Sequence, residues 1–386
     1  MDLFDRVREA LVAGDTKAGF ALAIERFRAE GSYPLIFEAR LMQERHALGM
    51  PLIQTETWNG LSESCQAAYE RATVEAAREV GALFLEDGEI ARAWPYFRAI
   101  GEKDRIRQAI EECGDAAPGE ALDGIVEVAY HEQVNPRKGF ELILKHYGTC
   151  RAITNFSQYP VEEGRADCAE MLVESVHSEL LASIKHAVEQ KEGQEPDGDD
   201  LDAILERRAW LFEGNACYLD TSHVASLVQM APSLERERTL ERLLGLACYG
   251  CQLSEMHQFP GNPPFENVFE DYATYISTVL RRDVEIGLEH FRRKIETCDP
   301  NVAGTAPAQA LVNLLVRLER PGEAADVALE HLSEADPQFL ACPNALQLCQ
   351  MARDYERLAE VARRRRDLLS FAAATMQAAN PPAAAV

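Results

Sequence analysis

The chain has 386 residues, 47% of them hydrophobic, and a formal net charge of −25 from 39 Lys and Arg against 64 Asp and Glu. That length holds two or three domains or one extended helical array, and that apolar content excludes a globally disordered chain. The acidic balance repels nucleic-acid phosphates and anionic membranes, so no nucleic-acid or membrane role is expected.

The opening segment, MDLFDRVREALVAGD, is charged and amphipathic. It lacks the basic start and unbroken apolar stretch of a secretory signal. No stretch approaches the ~20 apolar residues of a membrane span, and a cytoplasmic location is expected. The ten cysteines are scattered, which predicts small, reduced, buried thiols and no disulfide framework.

Apolar residues recur at three- and four-residue spacing in Leu3, Val7 and Leu11, then in Phe20, Ile24 and Phe27. Gly14-Asp15 is the turn between these two helices. Alternating β patterns are absent throughout, so an all-α fold with negligible strand is predicted. In the segment 81–100, GALFLEDGEIARAWPYFRAI, Gly81 and Phe84 fall on one helix and Ala93, Phe97 and Ile100 on the next, with Gly88 in the turn. Small residues at 81 and 93 let two antiparallel helices approach, and the larger ones fill the groove. An echo occurs in RPGEAADVALEHLSEADP, where Ala325, Leu329, Leu332 and Pro337 take corresponding offsets.

These two segments, 81–100 and 320–337, resemble the second half of a tetratricopeptide repeat. The resemblance covers about a third of the chain, without a sustained period. It implies an irregular α/α superhelix of antiparallel hairpins, with a concave face that binds a peptide or partner protein. The expected divisions are an N-terminal helical-repeat region (1–118), a central helical region (119–299), a C-terminal helical-repeat region (300–371) and a disordered tail (372–386). The loop Gly114–Gly119 closes the first region. The acidic stretch 189–202 is expected to be a flexible excursion. The stretch 258–264, QFPGNPP, cannot be helical and must form an ordered loop or lid.

Chemistry concentrates in the central region as acid–histidine pairs at helical spacing: Glu127/His131, Glu174/His177 and Asp220/His223. Side chains three or four apart share a helix face, so each pair offers an oxygen and an imidazole nitrogen to one point. Two pairs from neighbouring helices would hold zinc, manganese or iron. Glu132 and Glu179 stand beside two of the pairs as candidate general bases for a metal-bound water. The competing reading is local hydrogen bonding on each helix. The loops Asn155–Pro160 and His257–Asn262 carry amides and aromatics suited to a small polar ligand, with an ordinary interhelical loop capped by Asn and Ser as the competing reading. Tyr130, Tyr218, Tyr272 and Tyr275 offer phenols, although an aromatic on a helix more often belongs to the core. Cys248 and Cys251 form a CxxC that ends a helix, with His257 nearby in sequence, and read as structural thiols. Arg363–Arg366 suit a helix C-terminus.

Two functions are compatible with these features. One is a helical-repeat binding protein with a metal or small-molecule site in its centre. The other is a metal-dependent hydrolase or lyase on an α/α scaffold, with a non-catalytic sensor or storage protein as a variant using the same ligands.

Overall fold

The computed structural model describes residues 2–52, 62–114 and 119–379. The described residues are helical with no strand; one isolated bridge joins Pro260 and Asn267. The fold is all-α, as the periodicity predicts. Two compact units divide at residue 168, inside the segment expected to form one central region. Most of the closing loop 114–119 lies outside the described residues.

The first unit begins with α1 (Leu3–Val12), α2 (Thr16–Ala29), α3 (Tyr33–Ala47), α4 (Glu63–Glu86), α5 (Ile90–Ala99) and α6 (Lys103–Glu112), each packed on its chain neighbour. Asp2, Asp15 and Ser62 cap α1, α2 and α4 by accepting backbone N–H groups that would otherwise be orphaned. The α4–α5 contact is close. A Cβ at Gly81 would stand 2.6 Å from Phe97 Cε2, and Phe84, Ala93 and Phe97 are buried around it. The glycine therefore sets how near the two helices come.

Next come α7 (Glu120–Val126), a π-helical turn (Glu127–His131) and α8 (Pro136–Ser157). In the π turn the Glu132 N–H reaches back five residues to the Glu127 carbonyl, at 2.9 Å. Asn155–Ser157 form the last turn of α8 and are not loop. The Tyr130 hydroxyl donates to the Asn155 carbonyl. Phe156 and Tyr159 pack with Phe140 in the core. This stretch is filled by its own aromatics, which corrects its reading as a pocket-lining loop.

Helix α9 (Arg165–Glu192) runs into the second unit. There Leu172, Val173, Val176, Leu180, Ile184 and Val188 form one fully buried stripe at helical spacing. The following connection is tied at both ends. Lys185 Nζ lies 2.5 Å from Asp199, and Arg208 grips Glu192 through two bonds of 2.8 and 3.0 Å. Residues 189–192 are helical, so the excursion between helices spans only 193–200.

The second unit continues with α10 (Leu201–Glu206), α11 (Thr221–Val228), α12 (Glu237–Gln252), α13 (Val268–Val279), α14 (Val284–Thr297) and the short α15 (Pro300–Ala303). It ends with α16 (Ala306–Arg317), α17 (Pro321–His331), α18 (Ala345–Met351), α19 (Tyr355–Arg364) and α20 (Leu368–Ala379), which again pack in chain order. Residues 372–379 are thus helical, correcting the expectation of a disordered tail there. An alanine-rich run has the highest intrinsic helix propensity, so its low packing content does not stop it forming helix. Residues 380–386 lie outside the described residues. Arg363 and Arg364 do end α19, where cations oppose the C-terminal dipole.

Candidate functional site

The acid–histidine pairs occupy different settings. Glu127 and His131 are both exposed on the π turn, and the His131 ring packs edge-on against Tyr130. Glu132 is ion-paired to Arg98 at 3.0 Å, and Glu179 is exposed on α9. Asp220 is the N-cap of α11, accepting from Ser222 N at 2.9 Å and Ser222 Oγ at 2.7 Å. Its other oxygen lies 3.9 Å from His223 Nε2. Its carboxyl is held below the usual carboxylate range, first by the Ser222 hydroxyl. Glu174 is ion-paired to Arg242. Among the described residues, no group of three or more His, Cys, Asp or Glu side chains is arranged to hold a metal ion.

One pair does line a cavity. Glu174 and His177 face a cleft of about 560 Å³ in the second unit, together with Asp202, Glu241, Arg242 and Arg282. Gly245 leaves the space between two of these groups: a Cβ there would stand 3.9 Å from both Asp202 Oδ1 and His177 Nε2. Burial lowers the His177 pKa below its usual 6.5, against the pull of Asp202, so the imidazole is neutral at pH 7. Burial raises the Asp202 pKa, reinforced by Asp200 and Glu206 and opposed by Arg282 and His177. The two arginines are already engaged, Arg242 by Glu174 and Arg282 by Glu241 at 3.2 Å. The cleft therefore holds a neutral imidazole beside a carboxylate that binds protons more readily than usual. That chemistry suits hydrogen bonding or proton exchange with a small polar cation.

A second concave surface lies in the first unit. Residues of α2, α3 and α4 line a groove of about 840 Å³. Glu79 on α4 sets its floor, accepting two bonds from Arg40 of α3 at 2.7 and 3.0 Å and one from Arg28 of α2 at 3.0 Å. The Arg40 guanidinium holds the Glu79 carboxyl below its ordinary range. Gln43 accepts from the same Arg40 at 3.2 Å, while Glu44 and Glu75 stand along the groove with no such clamp.

Sequence reasoning missed the most deeply buried charge. Asp271 is 1% exposed. It accepts from His290 Nε2 at 2.7 Å, Lys294 Nζ at 2.9 Å and Asn267 N at 2.9 Å. A signal was present, because Asp271 falls on the apolar stripe of α13 with Val268, Tyr272, Tyr275 and Ile276. An acid on such a stripe must find partners. The CxxC cysteines lie in the last turn of α12 as free thiols, and burial pushes Cys248 up to about 11. His257 Nε2 instead meets the Asn215 carbonyl at 3.2 Å.

No family model matches this chain, and neither does any curated protein. No helix among the described residues is long and apolar enough to cross a membrane.

Proposed function

We propose that this chain is an interaction protein of tetratricopeptide-like hairpins that binds an extended peptide of a partner protein in the groove of α2, α3 and α4. The observation that carries the reading is the Glu79 clamp. One carboxylate ties three successive helices together at the floor of an open groove, leaving Glu44 and Glu75 along the space above it. Chain-order packing of α1–α6 supports it, since an array whose helices pack mainly on their chain neighbours builds an extended surface. Unclamped glutamates, on a chain of net charge −25, favour a peptide carrying Lys or Arg. An array of lysine- and arginine-containing octapeptides tests this. The doubly substituted Glu44→Lys, Glu75→Lys protein should bind its best peptide about tenfold more weakly. Equal binding by both proteins would remove the groove from the account.

The His177–Asp202 cleft favours a second reading, a small polar ligand or a hydrolase or lyase reaction in the central region. Elemental analysis of protein purified without chelator separates its metal-dependent form. About one equivalent of zinc, manganese or iron, lost in His177→Ala, supports that form. No bound metal, with peptide binding intact, leaves the interaction reading alone.

A further inference from the structure

Helix α20, LLSFAAATMQAA, contains no Asp, Glu, Lys or Arg. It packs mainly on α19 and buries Ala374 there, with Phe371 and Gln377 half-buried on either side. At 100° per residue, Leu368, Leu369, Ala372, Ala373 and Met376 project from the opposite face. All five are exposed, and Leu368, Leu369 and Met376 keep 78%, 83% and 72% of their surface open to solvent. A helix that is apolar all round belongs in an interior. A contiguous apolar row left in water marks a surface that another element covers.

The charges beside this row say what kind of element. The chain passes from α19 to α20 through Arg363–Arg366, all four exposed, a local reversal in a protein of net charge −25. Arg363 and Arg364 close α19 and oppose its dipole, and Arg364 also pairs with Glu360. Arg365 and Arg366 lie past the last residue of α19. Arg363, Arg365 and Arg366 make no ion pair with any described residue. No side chain after Asp367 is charged. Asp367 is itself engaged at the start of α20, accepting from Ser370 N at 3.0 Å and Ser370 Oγ at 2.6 Å. The basic cluster and the apolar row are thus contiguous, and α20 holds no carboxylate to answer the arginines.

We propose that this face of α20 docks an amphipathic helix of a partner protein, apolar on one side and edged with Asp and Glu. The partner's apolar side would lie along α20, with small Ala372 and Ala373 letting the backbones approach between Leu369 and Met376. Its carboxylates would meet the arginine cluster, in the paired geometry that guanidinium and carboxylate favour. A second copy of this chain, paired through α20, would cover the apolar row but leave both arginine runs without a counter-charge. An anionic membrane would answer the arginines but repel the rest of so acidic a chain. The cations also stand at one end of α20, whereas a helix lying in a membrane surface carries them along its polar face. This site does not depend on the N-terminal groove, which favours a ligand of the opposite charge.

The test is fluorescence anisotropy of a dye-labelled peptide of Leu, Ala and Glu, about five helical turns long, titrated with the full chain. Its leucines repeat at three- and four-residue spacing, and a control peptide of the same composition spreads them around the helix. The amphipathic peptide should bind at least ~10-fold tighter than the control. The triple variant Arg363→Glu, Arg365→Glu, Arg366→Glu should weaken binding ~10-fold or more. The double variant Leu369→Ser, Met376→Ser should weaken it comparably, and the exposure of all five positions leaves the fold intact. The Glu44→Lys, Glu75→Lys protein should bind this peptide unchanged. Absence of binding, equal affinity for the two peptides, full affinity in either α20 variant or loss in the groove variant would each overturn the proposal. So would sedimentation of the free chain as a dimer that Leu369→Ser, Met376→Ser dissociates, which assigns the face to a second copy. Binding to phosphatidylserine vesicles that the triple variant abolishes would overturn it in favour of a membrane.

Discussion

The α4–α5 and α13–α14 hairpins hold two helices together by different means. Each has a glycine at the crossing. A Cβ at Gly81 would meet Phe97 at 2.6 Å, and one at Gly287 would meet the Thr278 hydroxyl at 1.7 Å. The first hairpin then relies on apolar fill by Phe84 and Phe97. The second adds a buried carboxylate, Asp271, shared by His290 and Lys294 of α14. Apolar fill tolerates approximation, because neighbouring side chains relax towards a gap. A buried charge does not, because removing one partner leaves the others desolvated and unpaired.

Substitutions in the two hairpins bear directly on that contrast. Asp271→Ala should destabilise the protein by about 3–5 kcal/mol in urea unfolding. A cost near zero would show that His290 and Lys294 find water instead, and the contrast would fail. Gly81→Val should cost about 1–3 kcal/mol by forcing Phe97 out of its place. A neutral result would mean that α4 and α5 can separate without loss. In the cleft of the second unit, the depressed His177 pKa means the unfolded chain binds the proton more readily than the folded one. Stability from this group is therefore fully present above about pH 6.5 and is lost as pH falls through that value towards the folded pKa. His177→Gln should flatten the stability profile across that window, and an unchanged profile would assign the acid dependence elsewhere. Smallest of all, Arg98→Ala breaks only a pair whose side chains are 61% and 34% exposed. It should shift stability by no more than ~0.5 kcal/mol, and a larger loss would give Glu132 a structural weight its exposure does not suggest.

Legibility in the sequence runs along the same divide. Gly81, Phe84, Ala93 and Phe97 could be placed because their spacing alone reports the helix faces, and the packing partners lie within one hairpin. The 258–264 loop could be placed because three prolines and a glycine forbid helix there. The Asp271 cluster could not be assembled, since its partners sit 19 and 23 positions away and no local pattern joins them. Asn155–Pro160 was misread because amides and aromatics look alike at a helix end and in a pocket wall. Only the tertiary contact of Phe156 and Tyr159 with Phe140 tells the two apart. The histidine pairs show the limit of spacing as a guide. It puts two side chains on one face, but whether that face meets a cleft, as at His177, or solvent, as at His131, depends on helices far along the chain.

The π turn at Glu127–His131 makes the effect of a deletion in the first unit depend on where it falls. A turn of this kind carries one residue more than the α-helical turn it replaces. Deleting a single residue inside it would leave an ordinary helical turn, with the residues on either side close to their present faces. Deleting one in α7 would instead rotate the residues that follow by about 100°. Val128, Ala129 and Tyr130, all buried now, would then swing off the core face together. Losses of one codon a few positions apart therefore act very differently on the same three core residues.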